Sequence, residues 1–496
     1  MKKNIIILFL ICFISKEGQI NAQVFNEPEK KACSIKKISI EDVSKLALEN
    51  SLDIQIAKFD AYIKRTDLSK EESIFDAFIN ASIEYNKDKK AKLSSLLGNE
   101  IIEKTYSIDL ERKLPTGTTL TLGGSNVTTK SDSSIRTMNP ANEATAEISI
   151  VQELGKNFFG IADRGQIKIT AIDIENAEHT SLADIEEALY DAQVAYWNFV
   201  LKVEELAITQ DMYKEAEKLY EIYQKKHGLG LVEKVDLLAA EVNVKVHKNN
   251  VAEAGLQEET AKNELLFLLS ESNFNLQIKP LDSLEVTPLG VDLYASLKEA
   301  IETRRDYKKV KNELKANDID IVIKKNALWP QIDLEASYKR NGLDSNLRQA
   351  WGNVGGEDNP EIFVGLSLRI PIENREAKAD FEAVSLEKQQ LLFSLKRAER
   401  LILKEINNRV TQVNIIKNEV ELYSAIVKLQ QDKLQEEIKR LRYGRSSSDL
   451  IIRYEEDLLD ARLSEAGAFY RYRVNNIGLD LDKNTLLSKY WEADNL

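Results

Sequence analysis

Two short stretches carry the residue types that could act on a passing solute or a docking partner. One is Gly228-Leu229-Gly230-Leu231-Val232, with Asp236 close behind; the other is Arg442-Tyr443-Gly444-Arg445-Ser446-Ser447-Ser448-Asp449. Glycine accepts the left-handed backbone that ends a helix and lets the chain reverse tightly. Ser and Asp side chains accept hydrogen bonds from the free N–H groups that begin the next helix. Each stretch therefore reads as a helix stop followed at once by a helix start. Two roles remain open for Asp236 and Asp449: plain capping, or a charged site at a helix tip. Arg442 and Tyr443 either clamp a neighbouring helix or decorate a solvated helix end.

Other chemistries find little support. His179, His227 and His247 stand alone and read as helix-surface residues rather than ligands. Met1, Met138 and Met212 are the only methionines, too few for a thioether relay of soft metals. There is no Cys pair, no phosphate-cradling glycine loop and no Ser/His/Asp set that can be placed. Neither an enzyme nor a cofactor or metal is expected. A net charge of −13 argues against a nucleic-acid partner, which requires a basic face.

The elements that position the two stretches are very long. Glu376 to Tyr443 contains no Gly and no Pro, and apolar residues such as Ile402, Ile406, Val410, Val413, Val420, Leu434 and Leu441 recur in steps of three and four. A helix of this length spans roughly 100 Å. Asp163 to His227 predicts a second helix of the same size, and shorter return helices follow over Glu233–Leu269 and Asp449–Ile477. Ser39 to Ile74 reads as one helical segment before all of these.

Between the helices the period changes to two. Ile79, Ala81, Ile83 and Tyr85 alternate with polar residues, as do Tyr106, Ile108 and Leu110, then Leu120 and Leu122, then Ala146, Ile148 and Ile150. Pro115-Thr116-Gly117 marks a turn, and the polar run Thr128–Asn142 reads as a loop. Later, Ile332, Leu334, Ala336 and Tyr338 alternate with Asp333, Glu335 and Ser337, and Ile362 to Leu368 behaves alike. With no globular partner sequence nearby, lipid is the natural cover for the apolar side, with the polar side toward a lumen.

A shift of 253 residues places Ala47 on Ala300, Asp53 on Asp306, Ile79 on Ile332 and Tyr85 on Tyr338. The chain thus divides into a signal peptide (1–22), a first unit of helix, strands, long helix and return helix (38–270), a linker (271–291), a second such unit (292–479) and a tail (480–496). Cys12 lies within the apolar run of the signal, and Cys33 lacks a lipoprotein context. Cys33 is alone after cleavage, which excludes an intramolecular disulfide.

Taken together, these features resemble the TolC-type outer-membrane efflux protein family over nearly all of the mature sequence. Arg442 to Leu450 resembles the family's second periplasmic helix turn, and Gly230-Leu231-Val232-Glu233-Lys234-Val235-Asp236 its first. Val151-Gln152-Glu153-Leu154 and Phe469–Asp480 are similar to its strand exit and the close of its last helix. The resemblance implies a homotrimer with a transmembrane β-barrel in outer-membrane lipid and a long periplasmic α-helical barrel. It implies a passive conduit of a tripartite efflux or type I secretion system, serving a periplasmic adaptor and an inner-membrane transporter. Asp449 would ring the closed pore with Arg442 and Tyr443 beside it, and the glycine and serine turns would receive the adaptor. The family's second ring carboxylate falls on Ile452, and four strands in the first half exceed the family's usual two. A periplasmic coiled-coil scaffold without a pore is the competing expectation.

Overall fold

The computed structural model describes residues 36–91, 98–356, 358–443 and 445–491. The expected signal segment, Cys33 and Gly444 lie outside the described residues.

The chain begins with a short strand, β1 (Lys36–Ile38), and enters helix α1 (Ile40–Asn50) through Ser39. Ser39 and Asp42 cap each other reciprocally: the Ser39 hydroxyl accepts from the Asp42 N–H and the Asp42 carboxylate accepts from the Ser39 N–H. The single helical segment expected from Ser39 to Ile74 is in fact two helices. Ser51 adopts an extended ψ of 127°, and α2 (Leu52–Glu72) starts after it. The break frees the Leu52 N–H to bond the Ser270 hydroxyl at 3.2 Å, a contact invisible to local pattern.

Six strands follow in one antiparallel sheet: β2 (Ala77–Asp88), β3 (Ile101–Leu114), β4 (Thr118–Ser131), β5 (Ala141–Glu153), β7 (Gln331–Asp344) and β8 (Pro360–Arg369). They lie in sequence order, so the β3–β4 hairpin around Pro115–Gly117 is built into the sheet between β2 and β5. The polar run from Thr128 is strand as far as Ser131, because Thr128, Thr129 and Lys130 pair with Lys104, Glu103 and Ile102. β-Branched threonine suits a strand despite its polarity. The register aligns Ile79, Leu110, Leu122, Ile148, Tyr338 and Ile362 in one unbroken row across all six strands. A helix that the sequence did not announce, α7 (Leu347–Gly356), lies between β7 and β8 and packs on the sheet.

The long helices are α3 (Ile161–Gly228) and α8 (Arg375–Arg442), 68 residues each. Their return helices, α4 (Lys234–Leu268) and α9 (Ser448–Asp482), are 35 residues each. α5 (Leu293–Thr303) and α6 (Arg305–Ala327) begin 253 residues after α1 and α2, and Arg304 breaks them with ψ 124° as Ser51 does. No helix among the described residues is long and apolar enough to cross a membrane.

The largest core surrounds the middle of α3, where Ile185, Leu189, Tyr196 and Phe199 are fully buried against α1, α4 and the C-terminal segment. Fully burying one such side chain stabilises by roughly 1.5–3 kcal/mol. The segment expected to be a plain linker is docked here. Its strand β6 (Ile278–Pro280) pairs in parallel with β1, and Asp282 accepts hydrogen bonds from the Tyr196 hydroxyl and the Ile40 N–H, each at 2.7 Å. Glu186, also fully buried, holds Arg305 and accepts the Leu487 N–H at 2.9 Å. This ties α3, α6 and the C-terminal end together.

Candidate functional site at the helix tips

The two helical hairpins, α3–α4 and α8–α9, end side by side. α3 stops at Gly228, and Gly230 takes the left-handed conformation with φ +69°. The Gly230 N–H bonds His227 C=O and the Leu231 N–H bonds Lys226 C=O, both at 2.9 Å, which satisfies carbonyls the helix would leave free. At the second tip the Arg445 N–H reaches back to Arg440 C=O at 3.0 Å, closing the same loop of backbone. Gly444, read as the reversing residue there, lies outside the described residues.

The capping role considered for the two carboxylates is not what the structure shows. The residues at the N-cap positions are Glu233 and Ser447, and neither side chain makes a capping bond. Asp236 and Asp449 stand inside the first turns of α4 and α9, where the positive end of the helix dipole favours negative charge. Asp236 is half-buried and accepts a hydrogen bond from the Ser448 hydroxyl at 2.8 Å, linking one hairpin to the other. Asp449 is exposed at the outermost turn.

Of the remaining sequence-selected residues, Ser448 is buried, Val232 and Ser446 are half-buried, and Gly228, Leu231, Arg442, Arg445 and Ser447 are exposed. Tyr443 is 80% exposed and Leu229 74%, large for apolar or aromatic groups. A Cβ at Gly228 or Gly230 would meet nothing within 4 Å, so the space beside this turn is open. The tip thus offers Leu229, Leu231, Tyr443 and Val235 outward, around a buried Ser448–Asp236 bridge.

Behind the bridge lies a core of which the sequence pattern marked only the α8 members, Leu434 and Leu441. Leu219, Tyr223, Ala240, Leu434, Leu441, Ile451 and Leu458 pack the four helices together. Burial raises the Tyr223 phenol above its ordinary value; the Ser448 hydroxyl opposes this, while the Asp236 and Asp449 carboxylates reinforce it. Farther from the tip, Glu455 is only 6% exposed and accepts a hydrogen bond from Asn243 at 3.3 Å. Burial pushes its carboxyl up to about 7; the Asn243 bond opposes this, while Glu215 and Glu456 reinforce it. His247, expected on a helix surface, is 2% exposed one turn from Asn243, and burial lowers its pKa. Asn243 and His247 sit four apart on the same α4 face as buried Ala240, and that spacing was the available signal.

No family model matches this sequence and no curated protein matches it. Solved structures do match in fold. CusC, studied for the conformational changes accompanying folding and transmembrane channel formation, aligns with a TM-score of 0.68 and 16% identity, over 90% of this chain and 91% of its own. The CmeC outer-membrane channel of Campylobacter jejuni aligns at 0.65 and 14% identity, over 90% and 86%. The open state of the MtrE outer-membrane channel of Neisseria gonorrhoeae aligns at 0.64 and 17%, over 90% and 89%. At such identities the shared property is the fold. This chain has the fold of the outer-membrane channels, and the resemblance read from its helix turns and strands holds at that level.

Proposed function

We propose that the chain is the outer-membrane component of a tripartite efflux or type I secretion assembly, a passive conduit running from the periplasm to the exterior. The apolar row from Ile79 to Ile362 carries this reading. It runs across a sheet whose two edge strands, β2 and β8, have no further strand beside them among the described residues. Open edges cannot face lipid, so the sheet must close with copies of itself. In a homotrimer, β8 of one protomer would join β2 of the next, and three sets of six strands would make an eighteen-stranded barrel. The opposite face pairs Asn80 with Asp109 at 2.8 Å, Ser82 with Ser107 at 2.8 Å and Lys339 with Glu147 at 3.2 Å, a surface suited to a wet lumen.

The helices favour the same assembly. Ile415, Leu422 and Leu429 are exposed on α8 seven residues apart, and Val235, Leu238 and Val242 are exposed on α4. Seven-residue apolar spacing is the signature of a seam between helices. Neighbouring copies would cover these stripes and form a periplasmic tube, in which the matched lengths of α3 and α8, and of α4 and α9, reflect an internal repeat. A coiled-coil scaffold accounts for the helices and leaves the six-stranded sheet without a purpose.

At the tips, three copies of Asp449 would converge on the axis as a cation-attracting constriction, with Arg442 and Tyr443 at its side. Gly228, Leu229, Gly230, Leu231, Val232 and Asp236, with Gly444, Arg445, Ser446, Ser447 and Ser448, would receive a periplasmic adaptor. An inner-membrane transporter supplies the energy. The test is reconstitution: detergent-purified protein should run as a heat-modifiable trimer and give discrete single-channel currents in planar bilayers. A monomer that stays in solution without detergent ends this reading.

A further inference from the structure

The apolar face of the sheet is not continuous in side chains. On β2 it carries Ile79, Ala81, Ile83 and Tyr85, and on β8 Ile362, Val364, Leu366 and Leu368. Outward of the Leu122–Ile148–Tyr338 row, however, β4, β5 and β7 present Gly124, Asn126, Ala146, Ala144, Arg340 and Gly342 on this face. Gly and Ala offer little apolar surface there, and Asn126 and Arg340 are polar. Helix α7 lies over Gly124, Ala144, Ala146 and Gly342. A Cβ at Gly342 would fall 2.2 Å from the Ala350 carbonyl oxygen, and one at Gly124 would fall 3.0 Å from the Trp351 ring. Ala350 and Val354 are buried against Ala144, with Ala146 at the margin.

The docking is built rather than incidental. The Asn346 side chain accepts the Arg348 N–H at 2.9 Å and so starts the helix. Asn142, itself buried, donates to Ser345 C=O at 2.9 Å and accepts from the Thr128 hydroxyl at 2.7 Å. Asn353 donates to Leu343 C=O at 3.3 Å. Along its edge over β3 and β4, α7 leaves Leu347 48% exposed and Trp351 41% exposed, with Arg348 beside them. Still farther out on the same sheet face stand Lys104 and Lys130, both exposed and on adjacent strands. Among the described residues neither makes an ion pair, whereas Lys87 beside them is held by Glu100 at 2.6 Å.

We propose that α7 is a lipid-contacting helix of the outer leaflet, which supplies the apolar surface that β4, β5 and β7 lack, and that Arg348, Lys104 and Lys130 grip phosphate-bearing lipid head groups above it. The inference rests on the barrel reading above. Trp351 sits where an amphipathic ring is favoured, between hydrocarbon and head groups, and long cationic side chains reach outward from that level. The match is one of continuity and charge: an apolar band, then an aromatic residue, then free cations.

Spin labels at Leu347→Cys, Ile148→Cys and Ser125→Cys, in a Cys33→Ser background, test the placement in trimers reconstituted into phosphatidylcholine vesicles. Leu347 and Ile148 should be accessible to oxygen and shielded from a water-soluble nickel chelate, with Leu347 the shallower; Ser125 should show the reverse. A nickel-accessible Leu347 with Ile148 in lipid overturns the role of α7 and leaves the barrel intact. A nickel-accessible Ile148 overturns the barrel and this inference together. For the head groups, binding of diphosphorylated lipid A to the detergent-held trimer should weaken about fivefold per lysine, so roughly twenty-five-fold in Lys104→Ala/Lys130→Ala. Equal binding by the double variant, or equal binding of the dephosphorylated glycolipid, overturns the phosphate assignment.

Discussion

Ser448 donates its hydroxyl to Asp236 Oδ1 at 2.8 Å, joining the first turn of α9 to the first turn of α4. The two residues are 212 positions apart and belong to different hairpins. Ser448 is buried and Asp236 half-buried, so the bond is sheltered from water where a hydrogen bond to a charged group is worth about 1.5–3 kcal/mol. It fixes how the two hairpins meet at the end that is proposed to open.

Removing that bond should loosen the tip without unfolding the protein. In Ser448→Ala, amide exchange in the first turns of α4 and α9 should accelerate about ten- to hundredfold, the equivalent of the bond's strength. Exchange around Tyr196 and Phe199, in the α3 core, should not change. Single-channel currents should show longer open times. Unaltered exchange at both helix starts would mean that the hairpins are held by the Tyr223 and Ile451 core alone.

Glu455 gives the hairpins a pH dependence. Its folded pKa is pushed up to about 7 from 4.5, so between these values the folded state keeps a proton that the unfolded chain releases. Stability therefore falls as pH rises through this window, by about 3 kcal/mol per protomer once Glu455 is ionised. Burial lowers the His247 pKa, so its cost appears on the other side, as pH falls below 6.5. Glu455→Gln keeps the acceptor for Asn243 and removes the ionisation. Urea midpoints should then rise at pH 8 relative to the parent chain and match it near pH 4.5. The same pH slope in both proteins would place the titrating group elsewhere.

What the sequence made legible was whatever repeats along the chain. The two long helices, their return helices and the alternating strands show themselves through periods of 3.6 and 2, which are local properties. The reversal at Gly230 follows from turn chemistry in the same way. What stayed hidden depends on partners far away in sequence. Ser51 breaks a helix where the freed Leu52 N–H bonds Ser270, and His247 is buried on the α4 face whose Asn243 bonds Glu455 of α9. α7 carries Gly352, Gly355 and Gly356, poor helix formers, and exists because Gly342 and Ala144 leave room for it on the sheet. Sequence spacing could not reveal that Asp236 meets Ser448 rather than capping its own helix.

The face assignment of the strands is testable residue by residue. On β7, Leu334 and Tyr338 share the row system of Ile148 and Ile150, while Glu335 and Ser337 align with Val151 and Ser149 on the opposite face. Cysteines at Leu334 and Tyr338 should react with a lipid-soluble maleimide and resist a charged one, and cysteines at Glu335 and Ser337 should do the opposite. Equal labelling at neighbouring positions would show that neither side of β7 contacts lipid.

The tip makes the last prediction. Asp449 is exposed at the outermost turn of α9, and in a trimer three such carboxylates would face one axis. Converging like charges attract cations and hold them, so Asp449→Ala should raise single-channel conductance and weaken block by divalent or trivalent cations. The change should leave trimer yield untouched, because no hydrogen bond within the chain depends on the Asp449 side chain among the described residues. Gly230→Asp probes the neighbouring surface. Its left-handed backbone costs a non-glycine residue about 1–2 kcal/mol, a local strain at a turn with open space around it. The trimer should therefore still form and insert, while the new carboxylate beside Leu229 and Leu231 blocks adaptor docking and abolishes export. Full export by Gly230→Asp, with trimer at normal levels and conductance unchanged in Asp449→Ala, would move the functional end of the molecule away from these turns.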